Sequence, residues 1–210
     1  SLETLSDRLG STFSLASTIH DLLKTRHTLD VWEVGFGYGH VLLELSWLFR
    51  EKAIRFYGID KRLNVANREE LKNIATHFNV IPAHDLERLK LPLIYSYDAT
   101  SMHFEDESID FVYSAFVVRF IERKEKFLEE VCRVLRPGGC AVLHIGGANW
   151  NYPYSKKIDN RHLTNHLNRF VLKYHDELIP LPIYMKLFEG NTFNFEFADH
   201  PHCILLIQKT

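Results

Sequence analysis

The run Glu33-Val34-Gly35-Phe36-Gly37-Tyr38-Gly39 places three glycines between an apolar stretch and a helical one. Such a turn lets a bulky ligand press against bare backbone while the N–H groups of the following helix face it. The spacing is G-x-G-x-G rather than the G-x-G-x-x-G of dinucleotide folds, and an acid precedes the first glycine by two positions. A carboxylate there repels a pyrophosphate and attracts a cationic amino-acid group, directly or through water. Glu33 could instead be a buried partner of a basic residue. The ligand the loop suggests is zwitterionic.

Two further acids close apolar runs. In Gly58-Ile59-Asp60 the carboxylate is placed to hydrogen-bond both hydroxyls of a ribose, and in Tyr97-Asp98-Ala99 it can accept from the exocyclic amine of an adenine. Either aspartate alone could be a helix N-cap, but acids at three successive strand ends reinforce one another. The candidate cofactor set is Glu33, Gly35, Phe36, Gly37, Tyr38, Gly39, Asp60, Lys61, Asp98, Ala99 and Ser114. His144 and His103 are candidate general bases for an acceptor that must lose a proton. Arg119 offers a partner for a substrate carboxylate or is simply solvated, and Trp150, Tyr152 and Tyr154 could wall a substrate pocket or pack at the surface. His162 and His166 have i, i+4 metal-ligand spacing, yet no third ligand is positioned with them, so no metal is expected.

The elements that must position these residues alternate between apolar strands and amphipathic helices, the rhythm of a parallel sheet. Strands are expected at Leu29–Val34, Ala53–Ile59, Leu93–Tyr97, Ile109–Ala115 and Cys140–Ile145. The helix after the glycine loop should bury Val41, Leu42, Leu45, Leu48 and Phe49; the next should bury Leu63, Ala66, Leu71, Ile74 and Phe78, with Pro82 closing it. A polar stretch, Ala83 to Lys90, precedes the third strand. Phe127, Leu128, Val131, Val134 and Leu135 form the stripe of another helix, stopped by Pro137-Gly138-Gly139. A further helix is expected from Arg161 to Tyr174. Phe193, Phe195 and Phe197 alternate with polar residues as core positions, and Cys203 to Ile207 returns as an antiparallel hairpin.

At 210 residues, with 46% hydrophobic and 25% charged residues, the chain suits one domain. Its parts are an N-terminal helical segment (1–28), a cofactor-binding core (29–147), a substrate-side loop and helix (148–190) and a terminal hairpin (191–210). A formal net charge of -2 gives no footprint for nucleic acid or an anionic membrane. Three cysteines, odd in number, argue against a disulfide framework, and no run is long and apolar enough to span a bilayer. A cytoplasmic setting is expected. The chain opens on Ser1, so a preceding segment with substrate contacts is an open alternative.

These residues resemble class I S-adenosylmethionine-dependent methyltransferases, in particular the small-molecule, domain 11/25-like branch, from Leu29 to Gly147. Besides the loop and acids, Met102-His103-Phe104-Glu105-Asp106-Glu107-Ser108-Ile109-Asp110-Phe111-Val112 looks like the family's approach to its fourth strand. Glu129-Glu130-Val131-Cys132-Arg133-Val134-Leu135-Arg136-Pro137-Gly138-Gly139 looks like its following helix and turn. The resemblance implies a Rossmann-like α/β three-layer sandwich with a mostly parallel seven-stranded sheet and a C-terminal antiparallel hairpin. It implies S-adenosylmethionine as cofactor: the glycine loop on the methionine moiety, Asp60 on the ribose, Asp98 and Ala99 framing the adenine.

It further implies methyl transfer to an acceptor, most simply a small molecule, with no obligatory catalytic side chain. Asp60 and Asp98 stand further apart than is usual in that family, and Arg119-Phe120 occupies a place where many relatives have histidine. Ser114-Ala115-Phe116-Val117 replaces the Asn/Asp-Pro-Pro-aromatic motif of nucleic-acid amino-methylating enzymes, which disfavours base methylation. The alternatives are a non-catalytic cofactor-binding or partner-binding module on the same fold, an RNA methyltransferase, and an NAD-dependent oxidoreductase.

Overall fold

The computed structural model describes residues 14–61, 68–86, 89–115, 117–144, 193–198 and 204–210. The expected helix at Arg161–Tyr174, the aromatics Trp150, Tyr152 and Tyr154, and the histidine pair His162 and His166 lie outside these residues, as do Leu63 and Ala66. In chain order the elements are α1 (Leu15–Thr25), β1 (Leu29–Val34), α2 (His40–Leu48), β2 (Ile54–Ile59), α3 (Arg68–His77), β3 (Leu93–Tyr95), β4 (Ile109–Ser114), α4 (Lys124–Val134), β5 (Leu135–His144), β6 (Phe193–Ala198) and β7 (Ile204–Lys209).

β1 has no polar face because helices cover both sides of the sheet: all six of its residues are buried. It pairs in parallel with β2 and with β4, β2 pairs with β3, and β4 with β5. β7 then runs antiparallel to β5, and β6 antiparallel to β7. The resulting seven-stranded order is β3-β2-β1-β4-β5-β7-β6, the Rossmann-like mixed sheet that the family resemblance implied.

Alternating residues of each strand feed two separate cores. Leu29, Val31, Phe56, Phe111 and Tyr113 pack with Leu15 and Ile19 of α1, Leu42 and Leu45 of α2 and Leu71 and Ile74 of α3. Trp32, Val34, Ile59, Val112 and Leu143 pack on the other face with Phe127, Leu128, Val131 and Val134 of α4. The α4 stripe is buried as its spacing required.

Several details differ from the sequence reading. Leu48 and Phe78, placed inward by helical spacing, are 51% and 55% exposed. Each stands at or just past the end of its helix, where the stripe has rotated off the sheet; Leu43 takes an inward place in α2 instead. β3 stops at Tyr95, two residues early, and β4 stops at Ser114. The stretch from Ala83 holds a short 3₁₀ turn, Ala83–Asp85, and Leu86 and Leu89 close over the core beside Leu71. α4 ends ahead of Pro137-Gly138-Gly139 as expected, but the strand begins before that run and not after it. The helix ends at Val134, β5 begins at Leu135, and the Pro-Gly-Gly run forms an irregularity in its pairing with β4. Gly138 takes φ +76°, and a Cβ on Gly139 would stand 2.9 Å from the Asp110 carbonyl.

The amino-terminal edge of the sheet is fastened by buried charge. Asp110, fully enclosed, accepts from Arg26 Nη1, Arg136 Nη1 and the Asp30 N–H, each at 2.7 Å. Asp30 in turn accepts from Arg55 at 2.7 Å and from the Tyr57 hydroxyl at 3.0 Å, so the starts of β1, β2, β4 and β5 share one network. Chemistry is left to the opposite edge.

Candidate functional site

From β1 the sheet grows through β2 and β3 in one direction and through β4 and β5 in the other, and such a reversal opens a crevice at the carboxyl ends of the strands. A cavity of about 710 Å³ occupies that position. Its wall includes Val34 and Gly35 from the end of β1, Ile59, Asp60 and Lys61 from the end of β2, and Tyr97 to Thr100 following β3.

Gly35, Gly37 and Gly39 have φ values of +75°, +58° and +76°, a region costly for any residue with a Cβ. The Gly35 N–H donates to Ile59 O at 2.6 Å, and Gly39 O accepts the first helical N–H of α2, from Leu43, at 2.9 Å. Between them the Gly37 N–H donates to Asp60 Oδ2 at 3.0 Å. The end of β2 therefore holds the loop that leaves β1.

Gly58 has a packing role that its place in Gly58-Ile59-Asp60 did not reveal. A Cβ there would meet Leu42 Cδ2 at 2.7 Å and Phe36 Cδ1 at 2.8 Å. Phe36 is thus a buried plug beneath the loop, whereas Tyr38 is exposed.

Glu33 lies under the loop, enclosed among core side chains, and accepts a hydrogen bond from the Tyr113 hydroxyl at 2.9 Å. Burial pushes its carboxyl up to about 8, with the neighbouring Asp60 charge adding to the rise and the Tyr113 hydrogen bond opposing it. Its partner is a phenol and not a basic residue.

Asp98 is held differently. Its Oδ1 accepts from the Thr100 N–H at 2.9 Å and the Thr100 hydroxyl at 2.8 Å, and its Oδ2 from Lys61 Nζ at 3.1 Å. The Thr100 N–H, the Thr100 hydroxyl and Lys61, in that order, hold its carboxyl down at about 2, so the group is an acceptor at any working pH. Thr100 turns a solvated strand-end acid into a fixed one, and an Asp followed two residues later by Thr is a signal that sequence reasoning could have used.

The far wall comes from the segment after β4. Val118–Phe120 forms a 3₁₀ turn, and Val117 rests on Gly35 so closely that a Cβ on that glycine would stand 2.1 Å from Val117 Cγ2. Phe120, Ile121 and Arg123 face the cavity from this segment. Arg119 lies in the same turn.

Of the candidate cofactor residues, the cavity brings together Gly35, Asp60, Lys61, Asp98 and Ala99. Ser114 is buried, with its hydroxyl donating to Val34 O at 3.1 Å, and so ties β4 to β1. His144 is fully enclosed at the end of β5, and the His103 ring lies tilted against Tyr97 with ring centroids 4.4 Å apart. Burial raises the thiols of Cys132 and Cys140 to about 12, which leaves both poor nucleophiles.

The donor set suits an adenosyl sulfonium with an amino-acid tail. Two carboxylates, Asp60 and Asp98, line the cavity and can accept from hydroxyls or an amine, and apolar side chains flank them. A family model described as a methyltransferase domain matches residues 32–143. Among curated relatives, a sterol 4-C-methyltransferase of Caenorhabditis elegans is 25% identical over 133 residues, which is 62% of this chain and 35% of that protein. A thiol S-methyltransferase of Homo sapiens is 38% identical over 58 residues, 26% of this chain and 24% of that protein. The matched segments thus span about a third or less of these relatives. Among solved structures, a SAM-dependent methyltransferase of Methanosarcina mazei superposes with a TM-score of 0.51 at 19% identity, covering 91% of this chain and 96% of that one. The YcgJ protein of Bacillus subtilis gives 0.52 at 20% identity, covering 87% and 70%.

Proposed function

The chain belongs to the methyltransferase family whose model matches residues 32–143, class I and S-adenosylmethionine-dependent, and from that premise we propose that it methylates a small-molecule acceptor. The observation that carries the site assignment is the cavity at the reversal of strand order, which gathers Gly35, Asp60 and Asp98 from three strand ends.

In this proposal the glycine loop receives the methionine portion, Asp60 the ribose hydroxyls, and Asp98 with Ala99 the adenine. When bound, S-adenosylmethionine supplies a methyl group already activated by its sulfonium. The protein's own work is then to align and to keep water out. Gly35 and Val117 close the floor, Tyr97 and Ile121 line the sides, and Lys61 keeps the Asp98 carboxylate oriented. No side chain is assigned a proton-transfer step.

Three considerations favour a small acceptor. The two curated relatives are named for a sterol and a thiol acceptor; the net charge of -2 does not attract a polyanion; and the segment after β4 lacks the base-holding motif. In the same reading the whole chain is one methyltransferase domain, with 148–190, including Trp150, Tyr152 and Tyr154, on the acceptor side.

The test is calorimetric titration with S-adenosylhomocysteine on the wild type, Asp60→Ala and Gly37→Val, followed by transfer of radiolabelled methyl to panels of thiols, sterols, carboxylic acids, amines and RNA. Saturable binding weakened by both substitutions, with label in one small-molecule panel, is the expected result. Label in RNA, or tight binding with no label in any panel, would overturn the acceptor assignment.

A further inference from the structure

The run Glu129 to Gly139 stands out in the sequence, yet none of its residues reaches the cavity wall, and its two central charges have a different target. Glu130 and Arg133 lie at i, i+3 on α4 and are paired twice, Arg133 Nε to Glu130 Oε1 at 2.8 Å and Nη2 to Oε2 at 2.9 Å. Both also grip the segment between β3 and β4. Arg133 Nη1 donates to Phe104 O and to Asp106 Oδ1, each at 2.7 Å, and Nη2 to Met102 O at 3.1 Å. Glu130 Oε2 accepts the Met102 N–H at 2.7 Å.

That segment contains no helix or strand, so its backbone groups must find partners elsewhere, and α4 side chains supply them. The same chain, a few residues earlier, is the cavity wall. Asp98, Ala99 and Thr100 line the cavity; Ser101 N–H turns back onto Asp98 O at 3.0 Å; Met102, the next residue, is the first one clamped. Phe104, whose carbonyl Arg133 holds, sets its ring against Trp32, Tyr57 and Tyr95 at 5.2–6.2 Å. At the other end of α4, Arg123 Nη2 lies 3.4 Å from Thr100 Oγ1. One helix therefore holds this wall at both of its ends.

We infer that Glu130 and Arg133 are positioning residues for the cofactor, fixing the Asp98–Thr100 wall through the Met102–Asp106 backbone. The inference rests on the cofactor site proposed above. A lysine cannot replace Arg133, because one ammonium cannot serve two carbonyls and two carboxylates at these separate angles.

The experiment measures affinity for S-adenosylhomocysteine by calorimetry, together with amide hydrogen exchange of the ligand-free protein, for the wild type, Arg133→Lys, Arg133→Gln and Glu130→Gln. Arg26→Gln serves as control, since Arg26 pairs with Asp110 at the opposite edge of the sheet. Both Arg133 variants should bind about tenfold or more weakly, with faster exchange confined to about residues 98–107. Glu130→Gln, which keeps an acceptor for the Met102 N–H, should fall between them and the wild type. Arg26→Gln should lower the melting temperature and leave affinity unchanged well below it. Unchanged affinity in the Arg133 variants, or losses of affinity that merely track melting temperature across all four, would overturn the inference. Absence of binding to the wild type would instead sink the cofactor site beneath it.

Discussion

The Tyr113 hydroxyl donates to the Glu33 carboxyl at 2.9 Å between β4 and β1, with both side chains enclosed directly under the glycine loop. Burial makes both harder to ionise: Glu33 is raised to about 8 even though the Tyr113 hydrogen bond opposes the rise, and Tyr113 is raised well above its ordinary value by burial and by the Glu33 charge. An unfolded chain releases the Glu33 proton near 4.5, whereas the folded protein holds it to about 8. Between those values the folded state binds more protons, so this pair contributes stability that is complete below about 4.5 and is lost as pH rises through about 8.

Glu33→Gln tests that sign. The amide keeps an acceptor for the Tyr113 hydroxyl and cannot ionise, so the variant should lose less stability than the wild type between about pH 6 and about pH 9. Urea midpoints at the two pH values decide it. Parallel profiles for the two proteins would show that Glu33 does not titrate in this range.

Gly35→Ala should destabilise through two separable effects. A Cβ at φ +75° costs about 1–2 kcal/mol, and the same atom would stand 2.1 Å from Val117 Cγ2. The double variant Gly35→Ala/Val117→Ala removes the collision and leaves the backbone strain, so it should regain part of the lost stability and not all of it. Denaturant midpoints of the four proteins in this cycle give the answer; full additivity would mean that Val117 does not press on Gly35.

Much of this arrangement was legible because it depends on local rules. Strand ends followed by Gly-x-Gly-x-Gly or by an aspartate mark the carboxyl edge of a parallel sheet, and β1 spans the expected Leu29–Val34. The apolar stripe of α4 likewise followed from helical spacing. What the sequence hid is tertiary. Val117 covers Gly35 because the chain after β4 coils into a 3₁₀ turn, which no apolar periodicity announces. The exposed Phe78 satisfies a helical stripe that the helix does not continue far enough to use. Glu130 and Arg133 entered only as members of the run Glu129 to Gly139, and nothing local marks their role because their partners, Met102 and Phe104, are distant in sequence.

Asp110→Ala should be the most damaging single change away from the cavity. It leaves Arg26 without its carboxylate and Arg136 with that of Asp30 alone, and breaking one member of a buried ionic cluster costs about 3–5 kcal/mol. Asp110→Asn retains one acceptor and should cost less. Because the network lies at the amino-terminal edge of the sheet, S-adenosylhomocysteine affinity should stay near wild type in any fraction that remains folded. Urea unfolding measures the first claim and calorimetry the second.

Asp60 offers the sharpest separation of loop support from ligand recognition. Its Oδ2 accepts the Gly37 N–H at 3.0 Å, while its carboxylate also faces the cavity. Asp60→Asn can keep an oxygen toward Gly37 but presents a donor where a ribose would need an acceptor. Asp60→Ala gives up both interactions. If the acid serves the loop alone, Asn should bind S-adenosylhomocysteine like the wild type and only Ala should fail. If it also receives ribose hydroxyls, both should weaken, each by about 1–3 kcal/mol, the cost of a hydrogen bond to a charged group. Ala should then show the additional mark of a released loop, faster amide exchange at Gly37. We expect the second pattern, since Asp60 lines the cavity together with Lys61, Asp98 and Ala99, the residues proposed to receive the nucleoside.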